Sequence, residues 1–195
     1  YDKYIYFNDD FFLLRQTKIS DFFDNGIPVS SGYLAHTNSI AVKYDSYKAI
    51  SSRTVGFVIP MKNTIRALDG IKNGTFVRLY HSPYVFRKST LDNFFEHNQS
   101  ALIANINHRF RSYDQFSTAS LAATLEYRNE KAKPKKLFRH IYLKPVSKFP
   151  GYSILKIIPF ILFKRVIFGC FQNISEAKVS VKLFLAKWLN KRIIG

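Results

Sequence analysis

The sequence predicts a mixed α/β fold, in which a mixed sheet is flanked by helices. Segments rich in aromatic and β-branched residues alternate with segments of helical periodicity. Residues 4–7 have the composition of a buried strand, and residues 75–80 form a second strand candidate. Residues 54–59 read as a short strand that Pro60 closes. This alternation is typical of the α/β class.

Three segments carry one apolar face at helical spacing, and each follows a Ser or Thr that can accept a free backbone N–H of the first turn. A helix over residues 91–98 is expected after Ser89 or Thr90, one over 118–128 after Ser117, and one over 176–190 after Ser175. Together with the strands, these helices predict one core built from both kinds of element.

Length and cysteine content indicate the organisation and compartment. The chain has 195 residues, of which 47% are hydrophobic, enough for one sizeable core. It begins at Tyr1 without an initiator Met, so we expect residues 1–195 to be a single catalytic domain that is truncated at its N-terminus. Cys170 is the only cysteine, which excludes an intrachain disulfide and favours the reducing cytoplasm.

The charge favours anionic partners. Thirty Lys and Arg face 13 Asp and Glu, for a formal charge of +17, so nucleic acid, acidic lipid and nucleotide-sugar phosphate all qualify. The aromatic residues, 16% of the chain, lie mostly in apolar runs, and no known nucleic-acid motif is present, so we expect no nucleic-acid partner. Residues 131–148 are basic without a single acid, which is typical of a solvated or membrane-facing segment.

Residues 151–171 are a candidate membrane-associating segment. They are strongly apolar, but Pro159 and the cations Lys156, Lys164 and Arg165 interrupt them, so they fall short of a spanning helix. An apolar segment beside a basic one resembles an interfacial anchor on an anionic membrane. The alternative is a core helix or strand.

Asn8, Asp9 and Asp10 stand between two apolar runs, at the point where the first predicted strand ends. Open α/β sheets bind ligands at such strand ends. Two adjacent carboxylates suit a hard metal ion that bridges phosphates, or one proton-accepting carboxylate beside a fixed charge. Asn and Asp also favour turns, so the segment predicts a turn or a site.

His81 and two arginines are the other chemical candidates. His81 follows the strand at 75–80, where a neutral imidazole can accept a proton from a hydroxyl and a protonated one can steady a phosphate. Arg109 and Arg111 alternate, so on an extended chain they present two guanidinium groups to one anion, with Asp114 close behind. The alternative for the arginines is a solvated surface pair.

These motifs, in this order, resemble conserved regions of the Stealth family. Residues 6–12 (Tyr-Phe-Asn-Asp-Asp-Phe-Phe), 81–83 (His-Ser-Pro) and 109–114 (Arg-Phe-Arg-Ser-Tyr-Asp) resemble its second and third regions. Residues 168–173 (Phe-Gly-Cys-Phe-Gln-Asn) resemble its fourth. The family's first region has no counterpart in the chain. Many relatives carry an acid in the fourth region, whereas this chain has Gln172 and Asn173.

The resemblance implies a sugar-1-phosphate transferase. Bacterial Stealth proteins polymerise or extend phosphodiester-linked capsular and surface polysaccharides, and the animal relative transfers N-acetylglucosamine 1-phosphate to lysosomal glycoproteins. The chain would move hexose 1-phosphate from a UDP-sugar to a hydroxyl of an oligosaccharide or polysaccharide and release UMP. The implied fold is a nucleotide-sugar transferase core, Rossmann-like or glycosyltransferase A-like.

The resemblance also implies roles for residues. Asp9 and Asp10 would share metal binding and acceptor activation, His81 would be the general base or a phosphate donor, and Arg109 and Arg111 would clamp the diphosphate. The choice of base stays open between Asp10 and His81. Substrate-binding roles would fall to Asn8, Asp114, Asn173, Arg87 and Lys88.

The resemblance also implies a cofactor and a location in the cell, and two alternative functions stay open. The implied cofactor is a divalent cation, Mg²⁺ or Mn²⁺, and the implied location is the inner face of the bacterial cytoplasmic membrane, as a peripheral protein of capsule assembly. One alternative is a metal-dependent glycosyltransferase, which would attack the anomeric carbon and release UDP. Another is a non-catalytic basic protein that binds nucleic acid or membrane.

Overall fold

The computed structural model describes residues 1–38, 58–70, 74–109, 112–130, 132–135, 140–144, 151–162 and 166–193. Within these ranges the chain is a mixed α/β fold of small sheets and helices, which confirms the predicted class at that level. The strands are β1 (Lys3–Tyr6), β2 (Phe11–Leu13), β3 (Phe23–Asp24), β4 (Ile27–Pro28), β5 (Gly32–His36), β6 (Thr75–Leu79), β7 (Tyr84–Arg87), β8 (His140–Leu143) and β9 (Phe168–Phe171). The helices are α1 (Val58–Asp69), α2 (Lys88–His97), α3 (Gln99–Ile106), α4 (Thr118–Glu130), α5 (Gly151–Leu162) and α6 (Val179–Ile193).

Antiparallel pairs account for most of the described strand pairing. β1 pairs with β7, and β5 pairs with β6, in each case across a long stretch of sequence. β3 and β4 form a hairpin across Asn25 and Gly26, whose positive φ angles of 49° and 85° suit a tight turn that follows the twist of the strands. The strand predicted at 75–80 is confirmed as β6.

β2, β9 and β8 form a three-stranded sheet that joins the two ends of the chain. β2 is antiparallel to β9, and β8 is parallel to β9. Parallel neighbours need a crossover, and α5 follows β8 and precedes β9, which makes a βαβ unit. The register places Phe11, Cys170 and Tyr142 in one row across the three strands.

Helix α4 packs on β6 and is buried over residues 120–126. The Ser120 hydroxyl donates to the Val77 carbonyl at 2.7 Å, and the Val77 N–H donates to Thr124 Oγ1 at 3.0 Å. Ser117 caps the helix as predicted, because its Oγ accepts the N–H of Ser120 at 3.2 Å. Small side chains on α4 thus let the helix approach the strand closely and hydrogen-bond to its backbone.

A buried ion pair ties α4 to β7. The side chain of Glu126 is 1% exposed, and Arg87 donates to its two oxygens from Nε at 2.9 Å and from Nη2 at 2.7 Å. Nη2 also donates to Glu130 at 3.0 Å, and the Thr90 hydroxyl donates to Glu126. Hydrogen bonds to Glu126, the largest cause, raise the pKa of Arg87. The neighbouring Lys88 instead pairs with Asp92 on the surface at 3.0 Å.

The strand prediction for 54–59 is wrong where the structure describes it. Val58 and Ile59 are the first two residues of α1, and Pro60 is the third. Residues 54–57 lie outside the described residues. Proline is tolerated in a first helical turn because its missing N–H would have no partner inside the helix there. Pro60 therefore belongs to a helix start rather than to a strand end.

Two predicted helix caps are also wrong, although both helices exist. α2 begins at Lys88, and the N–H of Ser89 is bound at 2.7 Å by the Asp2 carboxylate, which lies 87 residues earlier in the chain. α6 begins at Val179, because Ser175 lies in a separate 3₁₀ turn, Ile174–Glu176. In α2 the distant carboxylate of Asp2, rather than a local hydroxyl, accepts a free backbone N–H of the first turn.

The strand predicted at 4–7 exists as β1, but the prediction that it is buried is wrong. Tyr4 and Tyr6 are 43% and 55% exposed. Each lies opposite an aromatic residue of β7, and the rings stack in pairs: Tyr4 on Phe86 at 6.1 Å between centroids, and Tyr6 on Tyr84 at 6.2 Å. Cross-strand stacking thus explains the aromatic composition that suggested burial.

The segment 151–171 contains both elements that its alternative reading allowed. Residues 151–162 form α5, and β9 is a fully buried strand. Ser153 and Ile157 of α5 are buried, whereas Ile154 and Leu155 are each 55% exposed. None of the helices in the described ranges has the length and apolar character needed to cross a membrane.

We expect Arg87→Met to lower the free energy of unfolding by about 3–5 kcal/mol, because it leaves the buried Glu126 carboxylate without its cation. The matched Lys88→Met variant removes only an exposed partner and should leave the urea midpoint nearly unchanged. Urea denaturation of both variants measures this difference. Equal midpoints for the two variants would show that the Arg87 pair is not structural.

Candidate active site

The Asn8-Asp9-Asp10 segment is a tight turn between β1 and β2. The N–H of Phe11 donates to the Asn8 carbonyl at 3.1 Å, which closes the turn. The N–H of Phe171, at the end of β9, donates to the Asp10 carbonyl at 2.9 Å. Asp9 is exposed, whereas Asn8 and Asp10 are partly buried. The turn therefore holds Asp10 against the three-stranded sheet and leaves Asp9 in solvent.

The Asp10 carboxylate has one satisfied and one unsatisfied oxygen. Oδ2 accepts a hydrogen bond from the Cys170 thiol, with Sγ at 3.4 Å. Oδ1 is buried and accepts no hydrogen bond within the described part of the chain. A buried carboxylate oxygen usually has a donor or a cation beside it, so this atom marks a place where a ligand can bind.

His81 is close enough to Asp10 for the carboxylate charge to act on its ring. It follows β6, and its ring stacks on Tyr142 of β8 with centroids 4.7 Å apart and an interplanar angle of 18°. Burial lowers the pKa of His81, and the negative charge of Asp10 partly opposes that shift. The imidazole is therefore neutral at pH 7, the form that accepts a proton.

Three further residues complete what we call the Asp10 cluster: Tyr142, Cys170 and Gln172. The Tyr142 hydroxyl donates to Gln172 Oε1 at 2.9 Å. Burial, as the main cause, raises the pKa values of Tyr142 and Cys170, and the charge of Asp10 adds to both shifts. Both groups consequently stay protonated and neutral. The cluster places one anion among neutral hydrogen-bonding groups at the carboxyl end of the parallel pair β8–β9.

Sequence reasoning missed these three residues as site residues. Cys170 entered as the only cysteine and as part of the motif at 168–173, and Gln172 as a departure from a family pattern. Tyr142 lies within the basic segment 131–148, with nothing in the local sequence to single it out. The signal that would have found them is strand register, because Tyr142 and Cys170 are Cα partners in the β8–β9 pair.

The predicted substrate-binding residues Arg87 and Lys88 have no contact with the Asp10 cluster among those found in the described chain. Arg87 binds Glu126 and Glu130, and Lys88 binds Asp92. Arg87 therefore has a structural role, whereas Lys88 makes only an exposed ion pair within α2. Neither residue has a contact that supports the substrate-binding role predicted for it.

The remaining candidates are scattered. Arg109 is exposed, and Arg111 lies outside the described residues. Asp114 is exposed, with Oδ1 3.9 Å from Arg66 Nη2. Asn173 directly follows Gln172 in a left-handed conformation (φ 55°), and its side chain donates to Glu176 at 3.0 Å. Of these four, only Asn173 stands next to the Asp10 cluster in sequence.

A divalent cation expected from the sequence resemblance would have few protein ligands here. Mg²⁺ is commonly held by one or two carboxylates, with water and substrate phosphate completing the shell. Asp10 Oδ1 is buried whereas Asp9 is exposed, so no contact in the described chain brings the two carboxylates to one ion. Over the described ranges no group of three or more His, Cys, Asp or Glu surrounds a metal position, so the other ligands would have to come from water and phosphate.

An aromatic cleft opens on the face of the β1–β7 pair, with a volume of about 400 Å³. Tyr6, Tyr84 and Phe86 form one wall, and Leu91 and Phe116 contribute from α2 and from the segment before α4. Polar groups at its other side come from Asn105, Gln115, Ser117 and Thr118. Tyr6 lies two residues before the Asn8–Asp10 turn, so the cleft and the turn share one strand end.

Comparison with known proteins gives no family assignment. No protein-family model matches the chain, and no curated protein matches it. The resemblance to the Stealth family is thus carried by the quoted motifs alone.

We expect the pKa of His81 to lie below 6.5 and to fall further in Asp10→Asn, because the Asp10 charge is what favours the imidazolium. Titration of the histidine ring signals by NMR measures both values. Asp92→Asn, which removes an equal charge on the surface of α2, should leave the His81 curve in place. An unchanged His81 pKa in Asp10→Asn would show that the charge of Asp10 does not act on the His81 ring.

Proposed function

We propose that the chain is a sugar-1-phosphate transferase of the Stealth type, which moves hexose 1-phosphate from a UDP-sugar to a glycan hydroxyl and releases UMP. The observation that carries the proposal is the link that the β8–β9 pair makes between His81 and Asp10, which come from two motifs about 70 residues apart. The His81 ring stacks on Tyr142, the Cα partner Cys170 donates to Asp10, and the other Asp10 oxygen is buried without a hydrogen bond in the described chain. Capsular or surface polysaccharide is the proposed product, and the cytoplasm, where nucleotide sugars are made, is the proposed compartment.

The reaction forms one bond and breaks one. The acceptor hydroxyl oxygen attacks the β-phosphorus, and the bond from that phosphorus to the oxygen bridging the two phosphates breaks. UMP leaves with the electron pair, and the sugar keeps its bond to the transferred phosphorus, so the product is a phosphodiester. Charge develops on the phosphoryl oxygens, and catalysis of such a step depends on positioning and electrostatic stabilisation.

His81 is the proposed general base. Its burial keeps the ring neutral before reaction, and the adjacent Asp10 charge stabilises the imidazolium that forms when the ring takes the acceptor proton. Stacking on Tyr142 fixes the ring plane, and the Tyr142 hydroxyl is itself fixed by Gln172. The Cys170 thiol orients Asp10 through Oδ2, and the buried Oδ1 accepts no hydrogen bond in the described chain. This arrangement supports His81 over Asp10 as the base.

A divalent cation, Mg²⁺ or Mn²⁺, is the proposed cofactor. Asp9 and Asp10 would hold it, and its positive charge would offset the negative charge of the diphosphate. Arg109 and Arg111 remain the proposed diphosphate clamp from the sequence resemblance. Asn173, directly after Gln172, remains a proposed donor contact, while Asp114 and Asn8 remain proposed substrate contacts.

The aromatic cleft is the proposed acceptor site. Stacked aromatic rings with polar groups opposite suit the apolar face and hydroxyl edge of a sugar ring, and ligand pockets commonly combine such walls. The cleft reaches Tyr6 at the strand end that leads into the Asp10 turn. An acceptor lying there would have its hydroxyl directed toward the end of β1.

We also propose a nucleotide-sugar transferase core, Rossmann-like or glycosyltransferase A-like, for the fold. The β8–α5–β9 unit supports this, because ligands of open α/β sheets bind beyond the carboxyl ends of parallel strands. Cys170 and Gln172 stand at that end of β9.

Incubation with UDP-sugars, Mg²⁺ and capsule-type oligosaccharides should release UMP, measured by chromatography of the nucleotide product. Asp10→Asn and His81→Ala should each lower the rate about 10²- to 10⁴-fold. His97→Ala, an exposed histidine at the end of α2, is the control and should keep the wild-type rate. Release of UDP would establish the glycosyltransferase alternative, and undiminished rates in both variants would remove the Asp10 cluster from catalysis.

Tyr6→Ala should raise the KM for the acceptor about three- to tenfold, since it removes one stacking ring from the cleft. The slow hydrolysis of the UDP-sugar in the absence of acceptor should stay the same, because it needs no acceptor site. Tyr4→Ala is the matched control, since Tyr4 lies on the same strand face without lining the cleft. Equal acceptor KM values for the two variants would place the acceptor elsewhere.

A further inference from the structure

The positive charge of the protein is concentrated in its C-terminal third. Residues 131–195 hold 15 of the 30 Lys and Arg but one of the 13 acids, Glu176, and so carry +14 of the formal charge of +17. The Glu176 carboxylate accepts a hydrogen bond from the Asn173 side chain. This positive charge is greater than one bound nucleotide would neutralise. It therefore favours an extended anionic surface as the partner.

Helix α5 exposes an apolar stripe. Ile154, Leu155, Ile158 and Leu162 are 55%, 55%, 37% and 67% exposed. At 100° per residue they fall within about 100° of the helix circumference. Ile157, on another side of the helix, is 3% exposed and belongs to the core. The stripe is therefore a second apolar face that the protein core does not use.

Helix α6 repeats the arrangement with more charge. Val181, Leu185 and Leu189 are buried in the same core cluster as Ile157. On the outward side Val179 and Leu183 are 68% and 67% exposed. The exposed cations Lys187 and Lys191 follow on that side, and the described length of α6 contains no acid.

We propose that the outward faces of α5 and α6, here called the docking face, bind reversibly to the surface of an anionic lipid bilayer. Lysines beside exposed aliphatic side chains meet both demands of such a surface, since the charges attract acidic headgroups and the apolar side chains enter the acyl boundary. This proposal rests on charge and exposure and is independent of the reaction proposed above.

Charge decides between a bilayer and other partners. A second copy of the chain would bring two strongly positive regions together, and like charges repel. Nucleic acid would attract the lysines but would leave the exposed Ile, Leu and Val side chains in water. An anionic bilayer satisfies both groups, and a shallow, peripheral insertion agrees with the short length of α5.

Co-sedimentation with vesicles of phosphatidylcholine containing 30% phosphatidylglycerol tests the proposal. We expect binding that falls as salt rises and that is absent from pure phosphatidylcholine. The double variant Lys187→Gln with Lys191→Gln should weaken partitioning about 25-fold, on the basis of roughly fivefold for each cation near the surface. The variant Ile154→Ser with Leu162→Ser should abolish the binding that persists at high salt.

A matched control separates the docking face from net charge. Lys3→Gln with Lys18→Gln removes the same charge from the N-terminal part of the chain, and this variant should bind vesicles nearly as well as the wild type. Equal losses in the two double lysine variants, or no vesicle binding by the wild type, would overturn the proposal. Circular dichroism confirms that each variant is folded, and analytical ultracentrifugation shows whether the Ile154 and Leu162 changes dissolve a dimer, which would reassign the face to self-association.

Discussion

The pairing of β2 with β9 is the interaction on which the rest of the site depends. It joins residue 11 to residue 170, and the adjoining bond from the Phe171 N–H to the Asp10 carbonyl fixes the turn that carries the carboxylates. The same strand β9 pairs with β8 on its other side, which brings Tyr142 under the ring of His81. Without β9 at the centre of this sheet, Asp10 and His81 would have no common support.

Burial shifts the pKa values of His81, Tyr142 and Cys170 in the Asp10 cluster. An imidazole in water has an ordinary pKa and no fixed orientation toward a substrate. In the protein, partial burial disfavours the charged imidazole, while the neighbouring carboxylate limits that effect. The thiol of Cys170, kept protonated by burial and by the same negative charge, acts as a neutral donor to Asp10. The neutral Tyr142 and Cys170 side chains thus orient His81 and Asp10.

Cations in this chain serve different purposes according to their position. Arg87 binds the buried Glu126 and so connects β7 to α4, a structural use that its location beside His81 in the sequence does not reveal. The cations of residues 131–195 have almost no acids near them in sequence and give one end of the chain a strong positive charge. The first kind stabilises the fold, and the second kind sets which partners can approach.

The sequence by itself determined the α/β class, the strand at 75–80, the cap at Ser117 and the choice of Asp10 and His81 as candidates, because local composition, hydroxyl capping and strand ends act over a few residues. It did not determine the start of α2, which depends on Asp2, or the exposure of β1, which depends on pairing with β7. It also could not separate Arg87 from a phosphate ligand, since Glu126 is 39 residues away. Tyr142, Cys170 and Gln172 became site residues only through the tertiary structure, because strand register joins residues that no local pattern connects.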